Sequence, residues 1–119
     1  MINIFNAETK ILSLLTNVTM LAGEINSLGS YVVFDKLKIN NAFIDDVDYI
    51  FNLFIAISSK TKNKRLAYAP LDEALTALMD DYQVNQDIEL GGIVPYSIKG
   101  LIVYKIPLTV RGFKGEDYV

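Results

Sequence analysis

The run Tyr49-Ile-Phe-Asn-Leu-Phe-Ile-Ala-Ile-Ser58 constrains the fold of this chain more than any other stretch. It falls short of the roughly 18 apolar residues that a bilayer-spanning helix needs. Its β-branched and aromatic content reads as a buried strand. The odd positions Tyr49, Phe51, Leu53, Ile55 and Ile57 are all large and apolar. A period of two places them on one face, which is expected to lie under helices. The even positions Ile50, Asn52, Phe54, Ala56 and Ser58 are mixed, so that face is expected to meet a second layer or a neighbouring subunit. Burying Asn52 there requires hydrogen-bond partners, because an unpaired buried amide costs about 1–3 kcal/mol.

Two helices are predicted around this strand. The first spans Ala7 to Ala22 with Asn6 as N-cap, on the stripe Ile11, Leu14, Leu15, Val18, Leu21 and Ile25. The second starts at Pro70, whose missing N–H is harmless in a first turn. Leu71, Leu75, Leu78 and Tyr82 make its buried stripe. Ser30 to Ile39 is β-prone, with Asp35 breaking the alternation as a bulge would. Asn40-Asn41 signals a turn, and Ala42-Phe43-Ile44 is read as a short extra strand. Gly91-Gly92 permits unusual backbone angles. Ile93 to Ile98 forms a strand that Pro95 confines to an edge or bulge, and Lys99-Gly100 is a hairpin connection. In Leu101 to Arg111, Ile102, Tyr104, Ile106, Leu108 and Val110 share a face, and Pro107 again argues for an edge or an unpaired donor side. The expected fold is α+β: a small, mostly antiparallel sheet of about four or five strands with two helices packed on one face. Residues 1–119 form a single domain, with 112–119 as a loose or contact-making tail.

Composition narrows the chemistry. With 51% hydrophobic residues among 119, the chain can build one real core. It has no Cys and no His. Disulfides, thiolate zinc sites, Cys nucleophiles, the Ser-His-Asp triad and imidazole metal ligation are therefore excluded. The formal net charge of −3 argues against a whole-domain nucleic-acid binder. Met1 to Phe5 lacks the cationic start of a signal peptide, so a cytoplasm-like compartment is expected.

The polar candidates are few. Asp45, Asp46 and Asp48 lack the Gly and distal Glu of a calcium loop and read as a solvated turn. The segment Ser59 to Tyr68 carries Lys60, Lys62, Lys64 and Arg65, without an aromatic inside the cationic run to stack on bases. No glycine-rich phosphate cradle is present. Asp80 and Asp81 sit at the helix end that the dipole disfavours for carboxylates. No catalytic set, metal site or cofactor site is expected.

The order helix, strand, strand, basic loop, Ala-rich helix, Gly-Gly turn, two-strand hairpin resembles the small tail-terminator (tail-completion) proteins of Mu-type contractile-tailed phages. The resemblance covers roughly Tyr49 to Phe113. It rests on the strand Tyr49 to Ser58, on Tyr68-Ala-Pro-Leu-Asp-Glu-Ala-Leu75, on Ile88-Glu-Leu-Gly-Gly-Ile-Val-Pro95 and on Val103-Tyr-Lys-Ile-Pro-Leu-Thr-Val110. It implies a homo-oligomeric ring, typically a hexamer, that caps the tail tube in the host cytoplasm and joins it to a head-connector protein. The tail-tube and connector proteins would be its partners, and the virion tail its place. A closed ring uses heterologous contacts. The expected contact residues are Ile50, Asn52 and Phe54, the basic Lys60, Lys62, Lys64 and Arg65, and Asp80 with Asp81. The competing reading is a small α+β module that recognises a peptide or nucleic acid through the basic loop or a strand edge. Third is an enzyme using paired carboxylates.

Overall fold

The apolar run becomes most of the central strand of the sheet, paired antiparallel on both sides. In the computed structural model, residues 2–20, 23–60 and 62–112 are described. The elements are α1 (Ile4–Leu14), β1 (Val18–Met20), β2 (Gly29–Asn41), a 3-10 turn (Ala42–Ile44), β3 (Asp46–Ser58), α2 (Lys64–Asn85), β4 (Ile88–Leu90), β5 (Val94–Ile98) and β6 (Leu101–Arg111). This is the α+β class, with six strands rather than four or five. The sheet runs β1-β2-β3-β6-β4, with β5 also paired to β6. Only β1 and β2 are parallel.

One face carries the main core. Tyr49, Phe51, Leu53, Ile55 and Ile57 of β3 are buried, beside Ile106, Leu108 and Val110 of β6 and Val32 of β2. Ala7 and Ile11 of α1, with Ala74 and Leu78 of α2, cover them. Phe34 meets Phe51 edge to face at 5.3 Å between ring centres, a favoured aromatic geometry. Helices and strand periodicity therefore agree on the odd face of β3.

The first helix departs from its predicted bounds. It begins at Ile4, with Asn3 as N-cap accepting from the Asn6 N–H at 3.0 Å. It stops at Leu14, because Leu15 is extended and Asn17 takes a left-handed φ of 58°. The run Thr16-Asn-Val-Thr19 favours turn and strand over helix. Val18 still packs on the main core, but from β1. Leu21 of the predicted stripe and Ala22 at the predicted helix end lie outside the described residues, as does the tail from 113 onward. Ile25 is buried elsewhere, with Ala56 and Val103 on the opposite sheet face.

Three further differences have local causes. Ala42 to Ile44 is a 3-10 turn: the Asn41 side chain accepts from the Phe43 N–H at 3.0 Å, and Asp45 closes the turn at a left-handed φ of 52°. The second helix starts at Lys64, six residues before Pro70, because Asn63 caps it by accepting from the amides of Arg65 and Leu66. Pro107 lies in an inner strand, where its outer neighbour is interrupted between β4 and β5, and its carbonyl accepts from the Gly91 N–H at 2.8 Å. The expected irregularity at Asp35 is present as a register shift between Phe34 and Lys36. Pro95 is in β5, which pairs only with β6. Lys99 and Gly100 both take positive φ, 49° and 78°, closing a two-residue β5–β6 hairpin of the type whose twist matches the strands.

Candidate functional site

The helix-free sheet face is the first candidate surface. Pairing register brings Val33, Asn52 and Pro107 into one row, Tyr31, Phe54 and Lys105 into the next, and Lys36, Ile50 and Thr109 into a third. Ile50, Asn52 and Phe54 are half-buried, and Phe54 packs against the cluster that Ile25 forms with Ala56 and Val103. At one end a second layer does exist. Ile25 drops onto Ala56 and Val103, and Lys99 Nζ holds that segment by bonding Glu24 at 3.2 Å and Asn26 at 3.1 Å. At the other end lies a polar depression of about 510 Å³ lined by Lys38, Asn40, Asp46, Asp48, Ile50, Glu89, Thr109 and Arg111. Its charges answer one another. Arg111 pairs with Glu89, which holds the guanidinium above its already high ordinary value, and Asn40 donates to Asp48 at 3.2 Å. Among the described residues, no group of His, Cys, Asp or Glu converges as a metal would require.

The second candidate is the end of the molecule where β2 begins and β3 stops. Leu28, Gly29, Ala56, Ile57, Ser58, Leu66, Ala67 and Pro70 line an apolar hollow of about 410 Å³ there. Leu28 is 58% exposed and Leu66 67% exposed, so the hollow is rimmed by uncovered side chains. Lys60 and Lys62 precede α2, while Lys64 and Arg65 are its first two residues rather than part of a loop. All four are exposed. The stretch from Ser58 to Leu66 therefore carries four cations and no carboxylate beside an apolar hollow.

The opposite end of the same β2–β3 hairpin has the complementary character. Phe43 is 99% exposed, Ile39 61% and Ile44 43%. Asp45, Asp46 and Asp48 follow directly. Sequence reasoning passes over Phe43 and Ile44 by treating them as strand. The signal that finds them is an apolar pair enclosed between Asn-Asn and Asp-Asp, where a turn leaves a large side chain nothing of its own fold to cover it.

The predicted contact residues thus fall in three places. Ile50, Asn52 and Phe54 lie on the helix-free face, and the cations flank the apolar hollow. Asp80 and Asp81 lie toward the far end of α2. Asp80 is exposed; Asp81 is half-buried and accepts from Asn85 Nδ2 at 2.7 Å. On α2, Lys64 and Arg65 are about 22–26 Å from Asp80 and Asp81 at 1.5 Å per residue, so the fold does not bring them together within one chain. Comparison of the chain with protein-family models, and with curated proteins, gives no match.

Proposed function

We propose that this chain is a structural virion-assembly protein, a tail terminator whose copies form a ring that caps the tail tube and meets the head connector. The observation that carries the reading is the one-sided covering of the sheet. Both helices lie on one face, while the other face, with half-buried Ile50, Asn52 and Phe54, is covered at one end alone, by Ile25 and its segment. A half-apolar sheet face covered only in part suits contact with another protein surface. The order of elements from β3 to β6 supports the same family, as the sequence resemblance implies. On this reading the protein acts by shape in the virion tail after assembly in the host cytoplasm, and no side chain is assigned a catalytic or cofactor-binding role.

Native mass measurement across a concentration series, with electron microscopy of the assembled species, tests the proposal. An annular homo-oligomer that halts tube growth in an assembly mixture is the expected result. A monomer at every concentration would overturn it. The second reading is a peptide- or nucleic-acid-binding module. It is favoured by the exposed cation cluster and by the outer edge of β2, which among the described residues β1 pairs at Ser30 to Val32. That reading predicts a monomer with salt-dependent binding to an oligonucleotide or acidic peptide.

A further inference from the structure

We infer that copies of this chain join head to tail through the β2–β3 hairpin: the tip of one, with Phe43 foremost, seats in the apolar hollow at the far end of the next. The inference deepens the self-assembly reading above and rests on it. Phe43 is almost wholly uncovered, and its turn is held at both ends by the Asn41 side chain and the left-handed Asp45. The side chain is therefore presented on a defined knob. The hollow beneath Leu28 and Leu66 is apolar and about 410 Å³ in volume, ample for one benzyl group. Knob and hollow lie at opposite ends of a pairing that runs from Gly29↔Ala56 to Asn41↔Asp46, about 35 Å apart at 3.4 Å per residue. They cannot meet within one chain.

Charge selects the same partner. The tip carries Asp45 and Asp46, while Asp48 lies in register between Lys38 and Arg111; Lys60, Lys62, Lys64 and Arg65 lie in the segment between the hollow-lining Ser58 and Leu66. Apposing tip and hollow attracts, whereas tip against tip or hollow against hollow sets like charges together. The sheet edges are the rival route between copies, and two of them are guarded. The stretch of β2 that has no outer partner among the described residues carries the Asp35 irregularity with Lys36 and Lys38, and β5 carries Pro95, which are features that discourage edge pairing. A contact between two different patches propagates, closing into a ring where the rotation between neighbours allows.

Two surface variants test this, each checked for an unchanged circular dichroism spectrum. Phe43→Ser spoils the tip and leaves the hollow intact; Leu66→Glu spoils the hollow and leaves the tip intact. The unaltered chain is expected to show concentration-dependent oligomers by native mass measurement. Each variant alone is expected to dissociate at least tenfold more readily, and their equimolar mixture to give a one-to-one dimer, since one good tip and one good hollow remain. If the unaltered chain assembles and either variant assembles equally well, the contact is wrong although self-assembly stands. Monomeric variants whose mixture yields no dimer would also overturn the head-to-tail contact. If the unaltered chain stays monomeric throughout, the self-assembly reading falls as well.

Discussion

Gly91 shows how a single atom can decide a position. A Cβ placed there would lie 3.0 Å from the Pro107 Cβ and 3.2 Å from its Cγ, against a rigid ring. At neighbouring Gly92 the same atom would meet nothing within 4 Å. The pair of glycines therefore serves close approach at one residue rather than unusual angles at both. Gly91→Ala should destabilise the fold by about 1 kcal/mol, as mild overpacking does. Gly92→Ala should be neutral or stabilise by up to about 0.5 kcal/mol by restricting the unfolded chain. Paired urea titrations check the contrast. Tyr104 gives a second test. Burial holds its phenol above the ordinary value of 10.0, and the neighbouring Tyr68 adds to the effect. The folded state keeps that proton more tightly than the unfolded state, so this contribution is intact below about pH 10 and declines as pH rises through the folded value. Tyr104→Phe should flatten that part of the alkaline decline in denaturant melts from about pH 9 to pH 11.

Helix α2 illustrates the balance at the level of one element. Only Ala74 and Leu78 are fully buried along its length. Leu78 is therefore a principal anchor, and Leu78→Ala should cost about 2–5 kcal/mol by equilibrium unfolding. The first turns have no buried residue and depend on the Asn63 cap. Asn63→Ala should cost about 1 kcal/mol and loosen the residues that carry Lys64 and Arg65. Pro70 opposes this helix, since it cannot donate to the Leu66 carbonyl one turn back. Pro70→Ala should raise the melting temperature, and loss of stability would show that the ring's packing against the hollow outweighs the missing hydrogen bond. The sequence places the helix start at Pro70 because proline suits a first turn. It understates Asn63, whose capping oxygen satisfies two amides further upstream.

For the whole molecule, charge separation along the hairpin matters more than net charge. A chain with a formal charge of −3 has Asp45 and Asp46 at one end of the hairpin and four cations toward the other, while Asp48 lies between Lys38 and Arg111. Association through these ends should weaken with salt, because exposed charges are screened beyond about 8 Å at physiological ionic strength. Light scattering from about 0.05 to 0.5 M salt should show the mean mass falling. A mass that rises with salt would point to contacts dominated by the apolar sheet face instead.

Alternation in Tyr49 to Ile57 and in Ile102 to Val110 is readable without coordinates, because side-chain direction in a strand repeats every two residues whatever surrounds it. The α+β class, the odd face of β3 as core, the irregularity at Asp35 and the Lys99-Gly100 hairpin all follow from such local rules. The separate elements were harder to delimit: Val18 keeps its core-facing role while changing from helix to strand, since apolar spacing records burial and not the backbone that delivers it. Two things needed three dimensions. Ile25, Ala56 and Val103 meet on the second face only because β3 and β6 pair in one register and the segment before β2 folds back across them. Phe43 and the hollow beside Leu66 become partners in an argument only when a long antiparallel hairpin puts them at its two ends, because sequence neighbours report local preference while the distance between surfaces is set by how strands pair.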